Sequence, residues 1–255
     1  MTGALAAEWI KLRSVRSTCH VLAVVAAVLP LVALMAWNGA TGWDSGTPEE
    51  RAAWERAQPL EEAVLPFVQL CAAVLGIMAI TSEYATGTIR ASLTAVPSRR
   101  TALAAKAGAV AAVSLAMGLV AVFAMHGIAR LVIGGRPLAD YDEPFSDAVP
   151  LLLSSGVSVA VVALVGLGVG TALRSTAGAL VVVCGLLFVL PVVPAFLPSP
   201  WGERLAGVTV SDLAVQSAGG ADDPLLPPLA ACAVMAAYVG IALGSGAALL
   251  LRRDQ

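Results

Sequence analysis

The chain has 255 residues, of which 58% are hydrophobic and only 13% charged, and its formal net charge is −2. Soluble domains carry about 25% charged residues, so a wholly water-facing surface is excluded and part of the solvent must be lipid. A nucleic-acid partner is also disfavoured, because no basic stripe is present to neutralise phosphates.

The first residues, 1–18, form a candidate interface helix. At 100° per residue Leu5, Trp9 and Leu12 share one face, with Lys11 and Ser14 opposite and Glu8 and Arg13 at the borders. Such a helix lies in the inner membrane interface, with Trp9 as anchor and the basic residues toward anionic headgroups. Crossing a hydrocarbon core of roughly 30 Å takes about 20 apolar residues. The first run of that kind, Cys19–Trp37, is too long for a signal-peptide core and lacks an A-x-A site, so it reads as a retained span. In the segment after it, Thr47-Pro48-Glu49-Glu50 has the spacing of a capping box with proline at the first helical position. That predicts a short external helix through Trp54.

The second span is Ala63–Ile80, with Pro66 near its start. Residues 81–100 follow: Gly87 breaks a helix, Ile89, Leu93 and Val96 recur at helical spacing, and Pro97 stops the run. A short amphipathic helix bounded in this way is a docking element. The third span, Ala107–Ala129, has His126 and Arg130 near its outer end, read as interfacial groups reaching toward water. Asp140, Asp142, Glu143 and Asp147 read as a solvated acidic loop. The fourth and fifth spans are Val149–Leu173 and Ala177–Leu197, the latter with Pro191 and Pro194 predicting a kink or early end. Residues 198–228 stay partly apolar and are expected near the interface, and Leu229–Leu251 is the sixth span.

No run alternates at period two, so the expected fold is all-α: one polytopic transmembrane domain over 1–255, not a barrel. Orientation follows from lysine and arginine placement. Lys11, Arg13, Arg16, Arg90, Arg99, Arg100, Lys106, Arg174, Arg252 and Arg253 fall on one set of flanks, which is ten of the fifteen. All but Glu8, Glu83 and Asp254 of the seventeen acids fall on the other. Both ends are therefore expected in the cytoplasm.

Chemistry of its own is not expected. The chain has no P-loop motif, no H-E-x-x-H and no G-x-S-x-G. His20 and His126 fall on opposite sides of the membrane, which disfavours a membrane-embedded lipid-modifying enzyme. Cys19, Cys71, Cys184 and Cys232 lack ligand spacing and read as small hydrophobes, so neither metal nor disulfide is expected. Inside the spans the deep polar residues are taken to be serines and threonines. The G-x-x-x-G pairs Gly166/Gly170 and Gly240/Gly244 read as packing within the chain, ahead of a homodimer face.

Two stretches carry a resemblance. The run Glu8-Trp9-Ile10-Lys11-Leu12-Arg13-Ser14 before the first span, and Glu83-Tyr84-Ala85-Thr86-Gly87-Thr88-Ile89-Arg90 with Pro97-Ser98-Arg99-Arg100 after the second, resemble ABC-2-type transporter permeases of the actinobacterial kind. The resemblance implies a bacterial plasma-membrane permease that binds no cofactor itself and uses ATP hydrolysed by a separate ABC ATPase subunit. A second permease copy, making a homodimer, and membrane lipids are the other implied partners. Export of an amphipathic or hydrophobic substrate is the expected activity. By the same resemblance Glu8, Trp9, Lys11 and Arg13 belong to the interface helix, and Glu83, Thr86, Gly87, Thr88 and Arg90 to the ATPase-coupling loop. A non-transporting anchor or immunity protein that sequesters a toxin is the alternative.

Overall fold

The computed structural model describes residues 2–14, 16–87, 99–220 and 224–252, and among these the secondary structure is helical throughout. The helices are α1 (Thr2–Ser14), α2 (Arg16–Ser45), α3 (Pro48–Glu55), α4 (Leu60–Thr86), α5 (Arg99–Ile133), α6 (Phe145–Leu173), α7 (Thr176–Cys184), α8 (Trp201–Ala206), α9 (Val210–Ala218) and α10 (Pro228–Arg252). α2, α4, α5, α6 and α10 are long and apolar enough to cross a membrane. Apolar side chains on their outer faces, such as Leu131 at 85% and Val120 at 70% exposure, would be a liability in water but suit lipid.

α6 is the central helix, packed against α4, α5, α7, α9 and α10. Where α4 and α6 meet, the backbones nearly touch: a Cβ on Gly76 would fall 2.0 Å from the Ala163 carbonyl oxygen. Only glycine permits that approach. Around it Val68, Ala72, Val122, Met125, Leu152 and Leu167 fill the space among α2, α4, α5 and α6. A second cluster, with Ile77, Val162 and Val183, joins α4 and α6 to α7, and a third, with Val161, Leu213 and Met235, joins α6 to α9 and α10.

The register of these contacts gives the helix directions. Gly76 faces Ala163 and Ile80 faces Gly170, so α4 and α6 run the same way. Val161 packs near Ala231 and Met235, and Gly168 faces Ala242, so α10 runs that way as well. α5 is antiparallel to α4, since Lys106 meets Glu83 and His126 meets Glu61. The bundle therefore has a Lys106 end and a His126 end. Because α6 and α10 are parallel, residues 176–209 must return the chain between them. They start beside α4, where Thr176 Oγ1 bonds Thr81 Oγ1 at 2.9 Å, and Val208 O accepts from Tyr238 Oη at 2.8 Å.

This fifth pass is not one long helix, which corrects the expected span at Ala177–Leu197. α7 runs into a π-helical turn at Gly185–Val189 and a 3₁₀ turn at Val193–Phe196. Pro191 and Pro194 lack the amide hydrogens that a continuous helix would use, so the early end read from them is present. At about 1.5 Å per residue, the continuous apolar stretch Thr176–Val189 falls short of the hydrocarbon thickness. The other spans extend beyond their expected bounds, which places Glu61 and Glu62 on α4 instead of in a loop. α3 forms as expected, with Thr47 as N-cap and the Glu50 side chain returning to the Thr47 amide at 2.8 Å.

Candidate functional site

Two clusters of buried charge sit at opposite ends of the bundle. At the Lys106 end α1 lies against α5, with Leu5 over Gly108. Trp9 and Ile10 point outward, at 45% and 65% exposure. Glu8 of α1 is largely buried against the bundle, while Lys11 lies half-exposed at its edge. Lys106, 5% exposed, donates to Glu8 Oε2 at 2.6 Å and to Glu83 Oε1 at 2.9 Å. Lys11 donates to Glu8 Oε1 at 2.8 Å and to the same Glu83 oxygen at 2.9 Å. Two carboxylates and two ammonium groups thus alternate in a closed ring across α1, α4 and α5.

This geometry ties Lys11, whose side chain stays half-exposed, to two carboxylates, and it turns the Glu83 carboxylate into the protein, where only 8% of the residue is exposed. The electrostatics agree. Burial disfavours the charged form of Glu8, but the hydrogen bonds from Lys106 and Lys11 outweigh it and hold this carboxyl below its ordinary range. Burial likewise opposes the charge on Lys11, and the bonds to Glu8 and Glu83 win, raising it.

Beyond the ring, Arg174 stacks over Tyr84 at 5.1 Å. Gly87 ends α4 in the left-handed conformation, φ 71°, with its amide bonded to Tyr84 O. A side chain there would be strained, so the chain leaves α4 abruptly. Thr86 is exposed on the last turn and donates to Ser82 O at 2.9 Å. Thr88, Arg90, the amphipathic stretch through Val96 and the side chain of Arg13 lie outside the described residues.

At the His126 end the expectation of an interfacial histidine is overturned. His126 is 4% exposed, and its Nδ1 lies 2.6 Å from Glu61 Oε1. Tyr141, 1% exposed, donates to Glu61 Oε2 at 2.5 Å and accepts the Leu60 amide at 2.8 Å. Burial, then the Glu61 charge, push the Tyr141 phenol far up. These bonds knit α4, α5 and the loop before α6. Beside them opens a part-enclosed cleft of about 130 Å³, lined by Glu61, His126, Arg130, Tyr141, Asp140, Glu143 and Asp147 among others. A smaller cleft of about 80 Å³ lies between α4, α6 and α9, lined by Gln58, Glu62, Ser155, Ser211 and Asp212. Burial raises the Asp212 carboxyl there.

Sequence reasoning missed Gln69. It lies fully buried in the middle of α4, donating to Ser158 Oγ at 2.8 Å, so the deep polar groups are not only hydroxyls. Its signal was available, as an amide seven residues from Glu62 inside an apolar run. The glycine pairs also divide. Gly166 and Gly170 pack on Ala73, Ile77 and Ile80, as expected, whereas nothing lies near Gly240 or Gly244 among the described residues.

A family model described as ABC-2 family transporter protein matches residues 20–218. No curated protein matches the chain.

Proposed function

The chain belongs to the ABC-2 transporter family, and from that premise we propose that it is the membrane-embedded permease subunit of an exporter powered by a separate ABC ATPase. Membership in this family makes it a transporter component that works with an ABC ATPase, and its apolar helices make it a multi-pass membrane protein. The finer reading puts the Lys106 end in the cytoplasm of a bacterial cell, since the lysine- and arginine-rich flanks gather there. Two permease copies pair, with the open Gly240/Gly244 face of α10 as one helix surface suited to the contact. ATP is hydrolysed on the partner, and the cargo is amphipathic or hydrophobic.

The observation that carries this reading is the four-member charge ring. It couples α1 to the last turn of α4, directly before residues 88–98, where the ATPase would dock. A push on that loop then moves α1, α4 and α5 together, because separating them would strand buried carboxylates. Glu83 acts in this scheme from inside, by holding α4 to its neighbours, while Thr86, Gly87, Thr88 and Arg90 form the surface offered to the ATPase.

The test is capture of the tagged chain from its native cells in mild detergent, with mass spectrometry for a P-loop ATPase. Co-purification that Arg90→Glu weakens supports the proposal. Absence of an ATPase, under conditions that preserve another ABC-2 complex, would favour the sequestering anchor.

A further inference from the structure

The stretch that returns the chain from α7 to α9 stays within the depth of a bilayer. α7 and its π-helical turn are apolar over Thr176–Val189, about 21 Å at 1.5 Å per residue, starting beside Thr81 near the Lys106 end. A full crossing takes roughly 30 Å. On the return, Val208 O is held by Tyr238 Oη, and Tyr238 lies about 15 Å along α10 from its start at Pro228. Helical turns join Arg204 to Val208, a separation of about 6 Å. Residues 190–207 therefore sit level with the headgroups and upper acyl chains of the leaflet at the His126 end.

The side chains suit that level. Phe196 is 82% and Trp201 63% exposed, with Val189, Val192 and Leu197 exposed beside them. Among the described residues α8 packs chiefly on the 193–196 turn, so lipid covers the rest of it. Tryptophan favours the boundary between acyl chains and headgroups. Arg204 shares this short helix, with its guanidinium 5.6 Å from the centre of the Trp201 ring. Among the described residues no carboxylate pairs with it, and the adjacent Glu203 accepts from Ser199 Oγ at 2.9 Å. A cation at this depth is costly unless it meets an anion. The anion present in that layer is the lipid phosphate, whose paired oxygens match the guanidinium fork.

We infer that this face docks a phospholipid of the leaflet at the His126 end, with the phosphate on Arg204 and the upper acyl chains against Trp201 and Phe196. The inference needs a chain that spans a membrane and does not depend on the transport reading. A soluble phosphate ester brings the anion without the chains, and a diacylglycerol brings the chains without the anion. Neither should replace the phospholipid.

The experiment uses the purified chain in maltoside detergent, titrated with a phosphatidylglycerol whose acyl chains carry bromine, a contact quencher of tryptophan. The Trp201 signal is the difference between the unaltered chain and Trp201→Phe. It should fall saturably, and Arg204→Gln should raise the midpoint about fivefold or more. Arg204→Lys, which keeps the charge and loses the fork, should fall between the two. Both positions are exposed, so these variants keep the fold. The brominated diacylglycerol should need about fivefold more lipid, and glycerol 3-phosphate should not displace the phospholipid. Absence of Trp201 quenching, equal midpoints for phospholipid and diacylglycerol, an unchanged midpoint in Arg204→Gln, or displacement by glycerol 3-phosphate would each overturn the inference. No ATPase takes part, so a negative result here leaves the capture experiment intact.

Discussion

Replacing Lys106 with methionine keeps the length of the side chain and removes its charge. The ammonium is 5% exposed as a residue and lies 2.6 Å from Glu8 Oε2 and 2.9 Å from Glu83 Oε1. Without it, two carboxylates with 13% and 10% side-chain exposure share Lys11 alone, whose side chain is 45% exposed. Breaking a fully buried ion pair costs about 3–5 kcal/mol, and an exposed pair about 0–1 kcal/mol. This ring is buried on one side and open at Lys11, so about 2–3 kcal/mol is the expected loss.

That loss falls on the docking of α1 more than on the whole fold, because among the described residues α1 packs chiefly on α5 and, more lightly, on α2. At 1.4 kcal/mol per factor of ten, α1 should detach about 30- to 150-fold more often. Hydrogen–deuterium exchange of the purified chain in nanodiscs reads this directly. Amides of residues 5–14 should lose protection by that factor, while those at the centre of α6 keep theirs. Adding Glu83→Gln should recover part of the loss, since the partner left unpaired is then neutral. Unchanged exchange in α1, or an equal rise in α6, would refute the reasoning.

The same segment should show a pH window. Glu8 titrates below its ordinary value in the folded chain, so its contribution is complete above about pH 4.3 and lost as pH falls through the lowered value. Lys11 titrates above its ordinary value, so its contribution is complete below about pH 10.4 and lost as pH rises through the raised one. Protection of α1 should therefore be flat through neutral pH, and a slope between pH 6 and 8 would contradict it. Gly76→Ala drives a methyl to 2.0 Å from the Ala163 carbonyl and should cost about 2–3 kcal/mol, seen as a lowered Tm in detergent. Gly244→Leu, with nothing nearby in the chain, should leave Tm unchanged and reduce crosslinking between copies; undiminished crosslinking would remove this face from the dimer.

The helical plan was legible because lipid demands long apolar runs, and six of them stand out. The breaks at Pro191 and Pro194 were equally readable, since a missing amide hydrogen acts locally. What could not be read was pairing. Lys106 and Glu83 are 23 residues apart and Glu8 is 98 from Lys106, and no periodicity on one helix announces a partner on another. Glu61 was assigned to a loop because an acid at a span edge normally faces water. Only the tertiary contact with His126 and Tyr141 makes burial there affordable. The glycines erred the other way: identical spacings at Gly166/Gly170 and Gly240/Gly244 say that a close approach is possible, not whether a helix of the same chain arrives.

Both charge clusters hang on α4, and this bears on how the two ends communicate. Glu61 and Glu83 lie 22 residues apart on one unbroken helix, Leu60–Thr86, a separation of about 33 Å at 1.5 Å per residue. Between them α4 is pressed against α6 backbone to backbone at Gly76 and pinned by Gln69 to Ser158. A helix so held cannot absorb a displacement by bending at its middle, so the motion available is a shift or rotation of α4 with α6 as a pair. α5 is tied to α4 at both ends, since it carries both Lys106 and His126. Any slide of α4 past α5 must therefore change the ring and the triad together, since each spans that one boundary. The two clusters are in this sense two readings of a single interface, and a ligand at one end that prefers one α4–α5 register necessarily favours the matching state of the other.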